Sequence, residues 1–156
     1  MANELEVGDL APAFALPTDG GGHARLANFK GKAVVLYFYP KDDTSGCTAE
    51  AIAFSGLKAE FEAAGAVVVG VSPDSAASHD KFKTKHDLAV ALAADPKRAT
   101  IEAYGVWKEK SMYGRKYFGV ERTTFLIDRQ RRIAKVWRKV KVPGHAEEVL
   151  AAAKAL

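Results

Sequence analysis

Residues 33–39 read Ala33-Val34-Val35-Leu36-Tyr37-Phe38-Tyr39, almost continuously apolar and rich in β-branched and aromatic side chains. A strand wetted on one face alternates apolar with polar residues. A run like this one is buried on both faces, as in a sheet covered by helices. Pro40 ends it. After the polar stretch from Lys41 to Ser45 a helical pattern sets in, with Ile52 or Ala53, Phe54, Leu57 and Phe61 along one side. Gly65 fits the C′ position that closes such a helix. Ala66 to Val71 is a second buried strand, so the three elements make a βαβ unit.

The pattern extends outward from this unit. Asp74 or Ser75 can cap a helix running to about His86, and Val90 to Ala94 is a short strand. Asp95-Pro96 supplies an N-cap followed by proline at the first helical position, which predicts a helix to about Tyr104. Thr123 to Asp128 and Ile133 to Val140 read as two strands joined by a polar turn at Arg129-Gln130, and His145 to Ala155 as a closing helix. Upstream, Phe14-Ala15-Leu16 and Ala24-Arg25-Leu26 flank Gly20-Gly21-Gly22, which predicts an N-terminal β-hairpin. The glycine run has no Lys-Ser or Lys-Thr ending and no helix directly behind it, as a phosphate loop would need. The expected fold is α/β, with an N-terminal β-hairpin extension and a central mixed sheet flanked by helices.

Length and composition bound the function. The 156 residues suit a single domain, 1–156, with a substantial core. Hydrophobic residues at 48% and charged residues at 27% exclude a disordered chain. No apolar run approaches the roughly 20 residues of a membrane span. Met1 to Glu6 carries acids where a secretory leader has bases, which leads us to expect a cytoplasmic protein. The net charge of +4 is modest, and its densest basic cluster, Arg129 to Lys141, is interleaved with Ile133, Val136, Trp137 and Val140. That pattern suits strands with a solvated face, and no nucleic-acid reading element accompanies it.

The chain has one cysteine, Cys47. An internal disulfide is therefore impossible, and a cysteine-rich zinc site is excluded. A lone cysteine is ordinarily a small buried hydrophobe, so its surroundings must argue otherwise. A buried strand delivers the chain to the carboxyl end of the sheet, where ligand sites gather in open α/β folds. Cys47 then falls in the first turn of the following helix, where free N–H groups and the helix dipole stabilise a thiolate. Thr44 sets a hydroxyl three residues ahead of the sulfur, able to donate to a bound oxygen or to cap the helix, and Gly46 lets a small ligand approach the backbone. A thiolate facing fixed donors suits attack on an O–O bond, because the departing oxygen gains charge as the bond breaks. Arg122, ahead of a strand able to lie beside the first, would bring a guanidinium to the same end of the sheet.

The tract from Tyr37 to Glu50 closely resembles the active-site signature of the peroxiredoxins, in particular the bacterioferritin comigratory protein, or peroxiredoxin Q, subfamily. Gly8 to Phe14, Val71 to Ser75 and Arg122 to Asp128 agree with it too, so the similarity spans nearly the whole chain. The resemblance implies a thioredoxin-like fold and a thiol-dependent peroxidase with no cofactor and no metal. By the same analogy Cys47 attacks the peroxide, Thr44 hydrogen-bonds it, Pro40 shields the sulfur from water, and Arg122 holds the thiolate and the substrate oxygens. The product would be a Cys47 sulfenic acid, from hydrogen peroxide or an organic hydroperoxide. The chain departs from the family pattern twice. Ser45 stands where the family usually has proline, although serine is itself a good N-cap. No resolving cysteine is present: Ile52 and Thr84 occupy the two regions where the subfamily often carries one. The resemblance therefore implies a one-cysteine peroxidase, weakly favoured as a monomer, reduced by an external thiol such as thioredoxin, a glutaredoxin or glutathione.

Rival readings have less behind them. A thioredoxin-fold binding or chaperone module would leave Cys47 idle. Thioredoxin-type exchange normally uses a Cys-x-x-Cys pair, and Ser45 to Thr48 offers one thiol. His23, His79, His86 and His145 are scattered, with none placed as a base for Cys47 or as part of a metal pair. Tyr104, Trp107, Tyr113, Tyr117 and Phe118 are expected to pack the core or its rim.

Overall fold

The computed structural model describes residues 4–156, so the acidic N-terminal reading falls partly outside the described residues. Its centre is β3 (Ala33–Phe38), in which every residue is buried. Side chains alternate across the sheet. Ala33, Val35 and Tyr37 enter one apolar cluster with Phe54, Phe61, Phe82 and Val149, while Val34, Leu36 and Phe38 enter a second with Ile101, Tyr104 and Phe125. Two covered faces are the reason for the unbroken apolar run.

β3 pairs in parallel with β4 (Ala66–Ser72) and antiparallel with β8 (Thr123–Ile127). β5 (Ala91–Ala94) and β9 (Ile133–Trp137) complete a mixed five-stranded sheet in the order β5-β4-β3-β8-β9. The helices are α1 (Ser45–Gly56), α2 (Lys58–Ala63), α3 (Ala76–His86), α4 (Ala99–Ala103) and α5 (His145–Lys154). Residues of α1, α2, α3 and α5 fill the first cluster. α4 packs into the second, together with the N-terminal hairpin of β1 (Ala15–Pro17) and β2 (His23–Arg25). This is the expected thioredoxin-like arrangement with its hairpin extension.

Several boundaries differ from the sequence reading. The helix after β3 breaks at Leu57 into α1 and α2, and Gly65 then takes the C′ place at φ +76°. Ser75 caps α3 by accepting from the Ser78 N–H at 3.1 Å. Asp95 does not cap its helix from the adjacent position. α4 begins at Ala99, and the Asp95 carboxylate reaches forward to the Ile101 N–H at 2.8 Å. A further hairpin, which no periodicity in the sequence marks, is formed by β6 (Trp107–Met112) with β7 (Arg115–Val120). Its two-residue turn has positive φ at both Tyr113 (51°) and Gly114 (76°), the geometry that matches strand twist and that glycine accommodates freely. Tyr113 at 98% exposure, with Tyr117 and Phe118, therefore stands in solvent, whereas Tyr104 is buried as expected.

Candidate active site

Thr44 is the N-cap residue of α1, and Thr48 N–H donating to Thr44 O at 2.8 Å is the first bond of the helix. The N–H groups of Ser45, Gly46 and Cys47 precede that ladder and have no acceptor within the helix. Ser45 is thus the first helical residue rather than the cap. The Thr44 hydroxyl donates to the Lys41 carbonyl at 2.8 Å and makes no cap bond. With its hydrogen committed, it keeps acceptor lone pairs.

Arg122 arrives by register. Thr123 lies opposite Phe38, so the residue before β8 sits beside the end of β3 from which the chain enters α1. Its guanidinium forks: Nη2 donates to Cys47 Sγ at 3.3 Å and Nη1 donates to Glu50 Oε1 at 2.6 Å. Gly46 leaves room for this guanidinium. Cys47 is only 1% exposed and packs with Ala51, Phe54 and Tyr37, yet its sulfur meets a cation. Pro40 is half-buried at the same end of the sheet. The structure thus brings Cys47, Arg122 and the Thr44 cap together around one helix start, with Pro40 just ahead of it.

Glu50 was not singled out from sequence. It follows Cys47 by three residues and shares its helix face, an acid in an otherwise apolar row. Burial pushes its carboxyl up to about 7, with Arg122 pulling the other way. Burial alone would lower the Arg122 pKa, but Glu50 and Cys47 outweigh it and raise it. Lys110 on β6 also faces the site. Burial and Arg122 lower its pKa, opposed by Glu121 and Cys47.

A second polar cluster fixes the approach to α1. Asp42 accepts from Tyr39 Oη at 2.6 Å, Ser78 Oγ at 2.7 Å and His79 Nδ1 at 2.7 Å, and its own N–H donates to Asp74 at 2.8 Å. His79 Nε2 lies 3.0 Å from the Ala93 carbonyl. This ties the Pro40–Thr44 segment to α3 and β5. No local signal in the sequence joins residues so far apart. His86 faces Asp43 instead, at the surface, so the two histidines of α3 serve different partners.

The family model described as AhpC/TSA matches residues 7–136. A putative peroxiredoxin Bcp from Coxiella burnetii is 51% identical over 146 residues, covering 94% of this chain and 97% of the relative. Among solved structures, a cysteine-to-serine mutant of peroxiredoxin Q from Xylella fastidiosa superposes with a TM-score of 0.93 at 41% identity, covering 99% of this chain and 98% of the other. The Xanthomonas campestris bacterioferritin comigratory protein, whose structures were described in connection with its alkyl peroxide reduction activity, gives 0.88 at 45% identity, covering 97% and 96%. A cysteine at a helix start, hydrogen-bonded by an arginine just ahead of the neighbouring strand, therefore stands in a chain similar to these proteins over almost its whole length. The chain belongs to the AhpC/TSA family and is a peroxiredoxin of the Bcp kind, a thiol peroxidase on a thioredoxin-like fold.

Proposed function

We propose that Cys47 is the sulfur that attacks peroxide and that the chain, taken as one catalytic domain over residues 1–156, works with this cysteine alone. The observation that carries the reading is the 3.3 Å contact from Arg122 Nη2 to Cys47 Sγ in the first turn of α1. The thiolate attacks one oxygen of hydrogen peroxide or an organic hydroperoxide. An S–O bond forms as the O–O bond breaks, the O–O electron pair leaves with the departing oxygen, and that oxygen takes up a proton. Arg122 and the N–H groups that open α1 donate to the charge that develops, which lowers the barrier. Thr44 accepts from the peroxide O–H, and Pro40 covers the sulfur against water.

Attack leaves a sulfenic acid, and no second cysteine exists to condense with it. An external thiol, whether thioredoxin, a glutaredoxin or glutathione, forms a mixed disulfide with Cys47 and releases water. A second thiol then frees Cys47. Without reductant a second peroxide molecule oxidises the sulfenic acid to sulfinic acid and is itself reduced. The protein acts as a monomer in the cytoplasm on this reading; no helix among the described residues is long and apolar enough to cross a membrane. A steady-state assay crossing several peroxides with a panel of thiols tests it. Peroxide loss should depend on added thiol. Sustained turnover without any thiol, or none with all of them, would contradict it.

A further inference from the structure

The Arg122 guanidinium is shared between two acidic groups that are each 1% exposed, the Cys47 thiol and the Glu50 carboxyl. Only Oε1 of Glu50 is bonded to it. Oε2 is buried and has no hydrogen-bond partner among the described residues, and the buried Tyr37 hydroxyl on β3 likewise has none. The groups facing Glu50 are Cys47 on its own helix, Arg122 from the β7–β8 connection, and Tyr37, whose pKa burial raises first and Glu50 and Cys47 raise further. Lys110 on β6 and His145 on α5 feel the same guanidinium from beyond it. A thiolate and a carboxylate together would put two anions on one cation in apolar packing. Like charges sharing a buried site cannot both ionise freely.

We propose that Cys47 and Glu50 hold one acidic proton between them: when the thiol ionises, Glu50 carries the proton, and when the sulfur is neutral, Glu50 is the anion paired with Arg122. This inference rests on the reading of Cys47 as the attacking sulfur. It makes Glu50 a positioning residue that acts through Arg122 and sets when the sulfur is reactive. It also balances the reaction. The thiolate, the peroxide ROOH and one proton give the sulfenic acid and ROH, with sulfur oxidised by two electrons and the peroxide reduced by two. Once the thiolate is consumed, Arg122 is left to Glu50, whose carboxyl releases the proton that the departing oxygen requires.

Glu50→Gln keeps a carbonyl acceptor for Arg122 Nη1 but can take no proton and carries no charge. Iodoacetamide alkylation of Cys47, followed against pH in the wild type and this variant, reads the coupling. The midpoint should move to lower pH by about one unit in Glu50→Gln, a roughly tenfold gain in alkylation rate well below the wild-type midpoint. A folded variant whose midpoint is unmoved or raised overturns the proposal. Should Glu50→Gln not fold, infrared difference spectra of reduced wild type against Cys47→Ser decide. The buried carboxylic-acid carbonyl band should persist to higher pH in the wild type than in Cys47→Ser. The same pH profile of the band in both proteins overturns the coupling. Peroxide consumption by the wild type is measured alongside. Normal consumption with no coupling removes this inference alone, and no reaction of Cys47 with peroxide removes it together with the reading beneath it.

Discussion

A Cβ placed on Gly46 would stand 3.1 Å from Nη2 of Arg122, the same nitrogen that donates to the Cys47 sulfur. The residue beside the cysteine is thus small because a guanidinium occupies the space a side chain would take. The helix start, the sulfur and the arginine are packed as one object.

Gly46→Ala should displace the guanidinium by a few tenths of an ångström and leave the fold intact. The second-order rate with hydrogen peroxide, measured by stopped flow, is expected to fall several-fold, a cost of about 1 kcal/mol. An unchanged rate would mean that Arg122 has room to spare.

Arg122→Lys tests the fork rather than the charge. A lysine ammonium is a single point on a flexible stem and cannot hold Cys47 Sγ and Glu50 Oε1 together. Losing one preorganised donor typically costs on the order of a hundredfold or more, and the same stopped-flow rate should fall by that order. Near-wild-type kinetics in the lysine variant would reduce the arginine to a counter-charge.

Glu50 gives stability a pH dependence. Its folded carboxyl sits near 7 against an ordinary 4.5, because burial disfavours the charge. Between those values the folded protein keeps a proton that the unfolded chain has lost. The stabilisation is complete below about pH 4.5 and is lost as pH rises through about 7, to an extent of the order of 3 kcal/mol. Measured in Cys47→Ser, where no thiol trades a proton with Glu50, urea unfolding at about pH 5 and about pH 8 should show the decline, and adding Glu50→Gln should flatten it. Equal slopes in the two proteins would assign the decline to another group.

Asp42→Ala strips Tyr39 Oη, Ser78 Oγ and His79 Nδ1 of one shared acceptor. Each buried group left unpaired costs about 1–3 kcal/mol, so a loss of roughly 3 kcal/mol or more is expected from urea unfolding at neutral pH. In wild type the Asp42 carboxyl is held below its ordinary 3.8: burial would raise it, but hydrogen bonds from His79, Tyr39 and Ser78 prevail. Its contribution is therefore present above about pH 4 and is lost as the solution is acidified through the lower folded value. A loss under about 1 kcal/mol in the variant would show that the cluster relaxes around the missing carboxylate.

The sequence carried the sheet because β3 and β4 are buried on both faces, and such strands announce themselves as unbroken apolar runs. It carried Cys47 and Arg122 because each lies at the edge of such a strand or of the helix behind it. What it hid is held by long-range packing. The β6–β7 hairpin is mostly exposed and short of apolar alternation, so no periodicity marks it. Asp42 and His79 meet because α3 packs on β5 and reaches Tyr39, one residue past the end of β3. Glu50 reads as one more letter of the tract until Arg122 forks onto it, and the Thr44 hydroxyl, able by sequence either to donate to a bound oxygen or to cap the helix, donates to the Lys41 carbonyl and makes no cap bond.

Chemical trapping of the sulfur tests the account where it is most exposed. Reduced protein treated with one equivalent of peroxide in the presence of dimedone, then digested and analysed by mass spectrometry, should carry one adduct at Cys47 for each peroxide consumed, and Cys47→Ser should consume none. Peroxide loss that persists in the serine variant, or that proceeds in the wild type with no adduct at Cys47, would contradict it.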